Sequence, residues 1–320
     1  VLRLAVYKDN VFVFFGFDYM GPFDGHDVKA LIRVLERAKK HTGPVLIHIE
    51  TEKGKGFAPA ERNPSMYHGV PPFDKNTGLP KEDSSTDYSE IFGRTLAKLG
   101  EENKRIVAIT GAMPAGTGVE RFGKKFKDRF FDVGIAEQHG VTLAAGMAIS
   151  GMIPVIPLYS SFMQRAYDQI LHDVCLQNLH VVFPVDRAGI VGADGETHHG
   201  IFDISFLSHM PNMVILSPAN FSQLEKMLDY AINVHNGPIA ISYPRGGEQC
   251  DVPSDFERSK IQVVKPGNRI VIISSGRMLK TAFEVAGKVP DCKVIALPVI
   301  SPLDKEGIVS EVKAAELVVT

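Results

Sequence analysis

Short runs of β-branched and aromatic residues alternate along the chain with stretches of helical length whose apolar positions recur at helical spacing. Asp27 stands as an N-cap before a predicted helix over Val28–Lys40, and His41-Thr-Gly-Pro44 ends it. Val45–Ile49 then reads as a buried strand. From Asp87 the alternation is continuous. Strands are predicted at Arg105–Thr110, Phe130–Val133, Ile153–Leu158, His180–Val185, Met213–Leu216 and Ile239–Tyr243, and helices at Tyr88–Leu99, Ala136–Ile149, Phe162–Cys175 and Phe221–Val234. These strands are apolar throughout rather than alternating, as in a parallel sheet covered on both faces. The pattern predicts a doubly wound α/β fold with mainly parallel sheets.

Pro, Gly and polar residues crowd two breaks in this pattern, at 63–85 and 247–267, which read as linkers. Residues 1–62 are then the tail of one domain, 86–246 a complete domain, and 268–320 the opening of a third α/β unit. That last unit has a strand at Arg269–Ser274, a helix at Met278–Lys288, a strand at Lys293–Leu297 and a strand-like end. Val1 is preceded by no initiator Met, so the chain reads as part of a longer protein.

With 35 basic and 37 acidic residues the net charge is −2, so no polycationic surface for nucleic acid is expected. The longest apolar runs, such as Val11–Phe15, are far short of the ~20 residues that cross a bilayer, and no membrane partner is expected. Cys175, Cys250 and Cys292 are widely spaced and odd in number, which argues against a disulfide framework or a zinc site and favours a reducing, cytoplasmic setting.

Four segments carry chemistry. In Asp132-Val-Gly-Ile-Ala-Glu-Gln-His139 a strand gives way to a helix whose first turn holds Glu137; taken alone this is an ordinary helix-start acid. Tyr159-Ser-Ser-Phe-Met-Gln-Arg-Ala-Tyr-Asp-Gln169 begins at the C-terminal end of a strand, where open α/β sheets place ligands, although Tyr159, Phe162 and Arg165 could equally be packing residues. Asp186–Gly200 is a long glycine-rich loop after a central strand, and loops of that length are uncommon unless functional. Its His198-His199 pair lacks a third ligand at useful spacing, so no metal site is assigned; His199 is read as solvent-facing. Tyr243-Pro-Arg-Gly246 is a turn that presents Arg245.

Together and in this order, the segments resemble the 1-deoxy-D-xylulose-5-phosphate synthase family, a branch of the transketolase-like thiamine diphosphate enzymes. The resemblance implies that Glu137 hydrogen-bonds the cofactor's aminopyrimidine and drives its activation, and that Phe162 stacks on that ring. It implies that Tyr159, Arg165, Asp194 and His198 line the substrate pocket, with His198 also moving protons, and that Arg245 meets a phosphate. Thr51-Glu-Lys-Gly-Lys-Gly56 and Met66-Tyr-His-Gly69 match further family strings, which places Lys53 toward the cofactor diphosphate and His68 near the thiazolium as a catalytic group.

The implied reaction joins pyruvate to glyceraldehyde 3-phosphate with loss of CO₂, through a cofactor ylide and enamine. It yields 1-deoxy-D-xylulose 5-phosphate for isoprenoid, thiamine and pyridoxal synthesis, in a homodimer. The family holds Mg²⁺ through a Gly-Asp-Gly…Asn motif that does not occur here, so its protein ligands are expected in N-terminal sequence outside this chain. The chain alone is expected to be inactive. Transketolases and 2-oxoacid dehydrogenase β components share the Glu137 motif but are not expected to carry the Asp194…His198 loop. A non-catalytic split subunit would need a partner chain bearing the missing motif.

Overall fold

The computed structural model describes residues 11–70, 72–81, 86–248, 256 and 260–320. Cys250 and parts of both expected linkers lie outside the described residues. The chain falls into two compact units, Val1–Ser84 and Ser85–Thr320.

In the first unit, strands β1 (Asp18–Asp24) and β2 (Val45–Glu50) pair in parallel around the helix Val28–Ala38. Asp27 caps that helix as read, its carboxylate accepting the Ala30 N–H at 2.9 Å. Strand β1 escapes the apolar pattern because Gly21-Pro22 interrupts it; the register shifts between Met20 and Phe23, so the ladder passes around the proline. Val11–Phe14 forms a short helix.

The second unit is built on an eight-stranded sheet. Its strands are β3 (Ile106–Thr110), β4 (Phe130–Asp132), β5 (Ile153–Val155), β6 (Leu158–Tyr159), β7 (Val182–Asp186), β8 (Val214–Leu216) and β9 (Ile239–Ser242), with β13 (Val299–Ser301) added at one edge. The order is β13-β8-β9-β7-β5-β3-β4, with β6 also pairing β7, and every pairing is parallel except that of β13 with β8. Successive side chains of the buried strands feed two cores. Ile106, Val182 and Ile239 pack with Phe92, Phe122 and Tyr243, whereas Ile109, Phe183 and Ala240 pack with Val141, Met163 and Ile170. This is the doubly covered sheet expected from the fully apolar runs.

A second sheet, β10 (Gln262–Lys265), β12 (Cys292–Ala296), β11 (Ile270–Ser274) and β14 (Leu317–Val319) in that order, carries the helix Met278–Lys288. Strand β10 lies inside the stretch read as a linker, and β13 leaves this sheet to join the larger one. The predicted helix Phe162–Cys175 starts two residues earlier and is irregular: α over Ser160–Met163, 3₁₀ over Gln164–Ala166, α over Tyr167–Gln169 and π over Ile170–Cys175. Irregular turns of this kind often re-aim functional side chains.

His180, just before β7, offers a test of the packing. Its Nε2 lies 2.7 Å from the Ala231 carbonyl oxygen, and burial pulls its pKa below the ordinary histidine range. A depressed folded pKa means that folding favours the neutral ring, so its contribution is complete above the unfolded value near 6.5 and is lost as pH falls below it. Thermal unfolding scanned from pH 7 to 5 should show a destabilising slope of at most about 1.4 kcal/mol per pH unit from this proton. That slope should be missing in His180→Gln; an unchanged pH profile in the variant would contradict the assignment.

Candidate active site

Strands β3, β4, β6, β7 and β9 run in the same direction, so their C-terminal ends share one edge of the sheet, the ligand-binding edge of open α/β folds. Asp132, the last residue of β4, accepts the Ala112 and Gly134 N–H groups at 2.9 and 3.0 Å and ties the loop after β3 to the turn before the next helix. Glu137 opens that helix, Glu137–Ile149, and is only 5% exposed, with Arg165 Nη1 donating to its Oε2 at 3.1 Å. Gly111 lies beside it: a Cβ there would sit 3.3 Å from the Gly134 carbonyl and 3.7 Å from Glu137 Cγ, filling the space over the carboxylate.

Beyond β6 the aromatic groups stack. The Tyr159 and Phe162 rings lie 5.3 Å apart at 25°, and His198 meets Phe162 edge-on with centroids 5.3 Å apart. The Arg187 guanidinium covers the Tyr159 ring, 4.2 Å from its centroid. Burial, aided by Asp186 and Asp194 and opposed by Arg187 and Arg245, pushes the Tyr159 phenol up to about 12, so it stays a neutral donor through the physiological range.

The Asp186–Gly200 segment is clasped rather than loose. Gly189 N–H donates to Gly200 O at 2.7 Å and Gly200 N–H to Gly189 O at 2.8 Å, which closes a neck around two 3₁₀ turns, Gly192–Asp194 and Glu196–His198. A Cβ at 200 would lie 2.4 Å from Ser160 Oγ and 2.5 Å from the Arg187 carbonyl, so only glycine fits the neck. His199 is half-buried and its Nδ1 accepts the Val191 N–H at 3.2 Å, which corrects its reading as solvent-facing. The clasp presents Asp194, whose Oδ2 is 3.4 Å from Arg245 Nε and 3.9 Å from Arg187 Nε. Neither contact is a hydrogen bond: Asp194 Oδ2 and Arg187 Nε are both buried without one, polar atoms facing each other across a gap.

Arg187 is the residue that sequence reasoning missed. It adopts a φ of 60°, and its Nη1 donates to Ser89 Oγ, Gly116 O and Asp186 Oδ2, each at 2.8 Å. Asp186 is completely buried, and burial pushes its carboxyl above the usual range while Arg187 pulls it back. An acid ending an apolar strand was the available signal, because a buried acid requires a partner.

In the first unit, Lys53 Nζ and His68 Nδ1 meet at 2.5 Å. The structure thus gathers the singled-out residues into two constellations, Lys53–His68 in one unit and Glu137, Tyr159, Phe162, Arg165, Asp194, His198 and Arg245 in the other. Among the described residues no group of three or more His, Cys, Asp or Glu is arranged to hold a metal ion. The buried Glu137 carboxylate and the Phe162 ring, linked through Arg165 on the segment that carries Phe162, are the acceptor and the aromatic face that an aminopyrimidine would use.

The family model for the transketolase pyrimidine-binding domain matches residues 84–247. The chain belongs to that family. The models for 1-deoxy-D-xylulose-5-phosphate synthase and for the transketolase C-terminal domain match residues 1–51 and 259–320. A 1-deoxy-D-xylulose-5-phosphate synthase of Halothermothrix orenii is 50% identical over 95% of this chain and 49% of its own length, and that of Clostridium tetani is 49% identical over 91% and 48%. The family resemblance read from the motifs is borne out, and the chain spans about half the length of the curated relatives it matches. Among solved structures, a split-gene transketolase in an inactive β4 tetramer superposes with a TM-score of 0.66 at 29% identity, covering 73% of this chain and 79% of that one. A Campylobacter jejuni transketolase shares the fold at a TM-score of 0.62 and 17% identity, covering 98% and 62%. The α/β, mainly parallel, transketolase-like fold expected from the sequence is therefore established. No helix among the described residues is long and apolar enough to cross a membrane.

Proposed function

We propose that this chain supplies the pyrimidine-binding and substrate-lining half of a thiamine-diphosphate-dependent transferase. In its complete form this enzyme makes 1-deoxy-D-xylulose 5-phosphate and CO₂ from pyruvate and D-glyceraldehyde 3-phosphate, for isoprenoid, thiamine and pyridoxal synthesis. The observation that carries the reading is the buried Glu137 carboxylate at a helix start, bonded by Arg165 from the same helical segment that carries Phe162, in a chain 50% identical to such a synthase. Thiamine diphosphate, when bound, supplies a carbon nucleophile that adds to a 2-oxoacid and stabilises the charge left by decarboxylation.

This chain's own groups divide the remaining work. Glu137 accepts a pyrimidine N–H, Phe162 stacks on the ring, and Lys53 and His68 face the diphosphate and thiazolium. His198, against Phe162, passes a proton to and from the reacting oxygens. Arg245 and Arg187 flank Asp194, so a phosphate can take the two cations while Asp194 accepts a substrate hydroxyl. Family resemblance supports a cytoplasmic homodimer, with Mg²⁺ bound by Gly-Asp-Gly…Asn sequence outside these residues.

The inactive split-gene neighbour supports a further part of the proposal, that this half turns over nothing by itself. The test is product formation from pyruvate and glyceraldehyde 3-phosphate with thiamine diphosphate and Mg²⁺. Product is expected from the chain joined to or mixed with a diphosphate-binding domain, and none from the chain alone. Turnover by the chain alone would refute the half-site reading. No product from the complemented form would refute the assigned reaction.

A further inference from the structure

We infer that Arg165 is a positioning residue for Glu137 rather than a member of the substrate-binding fork; this rests on the reading of Glu137 as the pyrimidine acceptor. The geometry separates Arg165 from the other arginines. Arg187 and Arg245 converge on Asp194, whereas the contact that Arg165 makes is with Glu137 Oε2, at 3.1 Å. The two partners differ in exposure: the Glu137 side chain is 6% exposed and that of Arg165 54%.

A glutamate needs such a partner here. Its terminal torsion is broad, so burial alone does not fix the carboxylate plane. One charge-assisted bond to Oε2 sets that plane and leaves Oε1 to accept a ring N–H. The source of Arg165 matters as well. It lies in the 3₁₀ turn Gln164–Ala166, three residues after Phe162, so a single irregular helical segment carries both the stacking ring and the group that aims the carboxylate. Moving that segment would displace the ring's aromatic partner and its acceptor together.

The experiment measures the affinity of the full chain for thiamine, which presents the pyrimidine without the diphosphate, by calorimetry on the wild type, Glu137→Gln, Arg165→Gln, Arg165→Lys and the Glu137→Gln/Arg165→Gln double variant. Arg165→Gln is expected to weaken binding roughly tenfold, as for loss of one charge-assisted bond. Arg165→Lys should recover most of the loss, because an ammonium can still donate to Oε2. In the Glu137→Gln background, Arg165→Gln should cost nothing further, since Arg165 acts through Glu137 alone. Additive losses, or no loss in Arg165→Gln while Glu137→Gln weakens binding, would overturn this inference and leave the pyrimidine reading intact. Failure of the wild type to bind thiamine, or equal binding by Glu137→Gln, would overturn both.

Discussion

Glu137→Gln is expected to lower kcat of the enzyme, assembled with its diphosphate-binding half, by roughly 10²-fold or more, within the range for loss of a positioned proton-transfer partner. Glutamine keeps the shape, and its amide oxygen can still accept from Arg165. What disappears is the second carboxylate oxygen: the amide turns an N–H₂ donor toward a ring N–H that is also a donor. The fold should be nearly indifferent, because a helix-start carboxylate contributes about 1 kcal/mol or less. The measurement is steady-state turnover at saturating cofactor together with a thermal melt. A variant within threefold of wild-type kcat would remove Glu137 from the mechanism. A variant whose melt collapses would show that the carboxylate serves mainly to hold the helix start.

The parts of this molecule legible in the sequence are those written locally. A parallel strand buried on both faces must be apolar along its whole length, so Ile106–Thr110, Val182–Asp186 and Ile239–Ser242 announce themselves. The segments at the C-terminal ends of β4, β6, β7 and β9 carried Glu137, Tyr159, Phe162, Asp194 and Arg245, and parallel pairing necessarily brings them to one edge. What stayed hidden depends on distant partners. Strand β13 is three residues long and exists because β8, some eighty residues earlier, offers a free edge. His199 resembles His198 in sequence, yet the Gly189–Gly200 clasp turns one ring onto Phe162 and the other onto the Val191 N–H. Arg187 was missed because Ser89 and Gly116, which fix it, lie far away in sequence.

Arg187→Met should be the most destabilising single change at the site, by about 3–5 kcal/mol, the usual result of removing one partner of a buried pair. Asp186 is fully buried and the Arg187 side chain is 11% exposed, so water cannot replace the lost guanidinium. Methionine fills much of the space over Tyr159, which confines the loss mainly to the stranded carboxylate. At 2–4 °C per kcal/mol for a unit of this size, the melt should fall by roughly 10 °C. The sign of the pH dependence separates this cause from simple loss of packing. Without the guanidinium, burial is opposed only by the hydrogen bonds from the Ser89 hydroxyl and the residue-187 N–H, so the folded pKa of Asp186 rises further above the unfolded value. The penalty is then largest at neutral pH and shrinks by up to about 1.4 kcal/mol per pH unit as the solution is acidified toward pH 4, where the unfolded carboxyl also takes its proton. A packing defect would be independent of pH. Adding Asp186→Leu to Arg187→Met should restore part of the stability, since replacing both members of a buried pair with apolar groups is often neutral or better. Ser89 would then keep an unanswered hydroxyl, which sets a limit on the recovery.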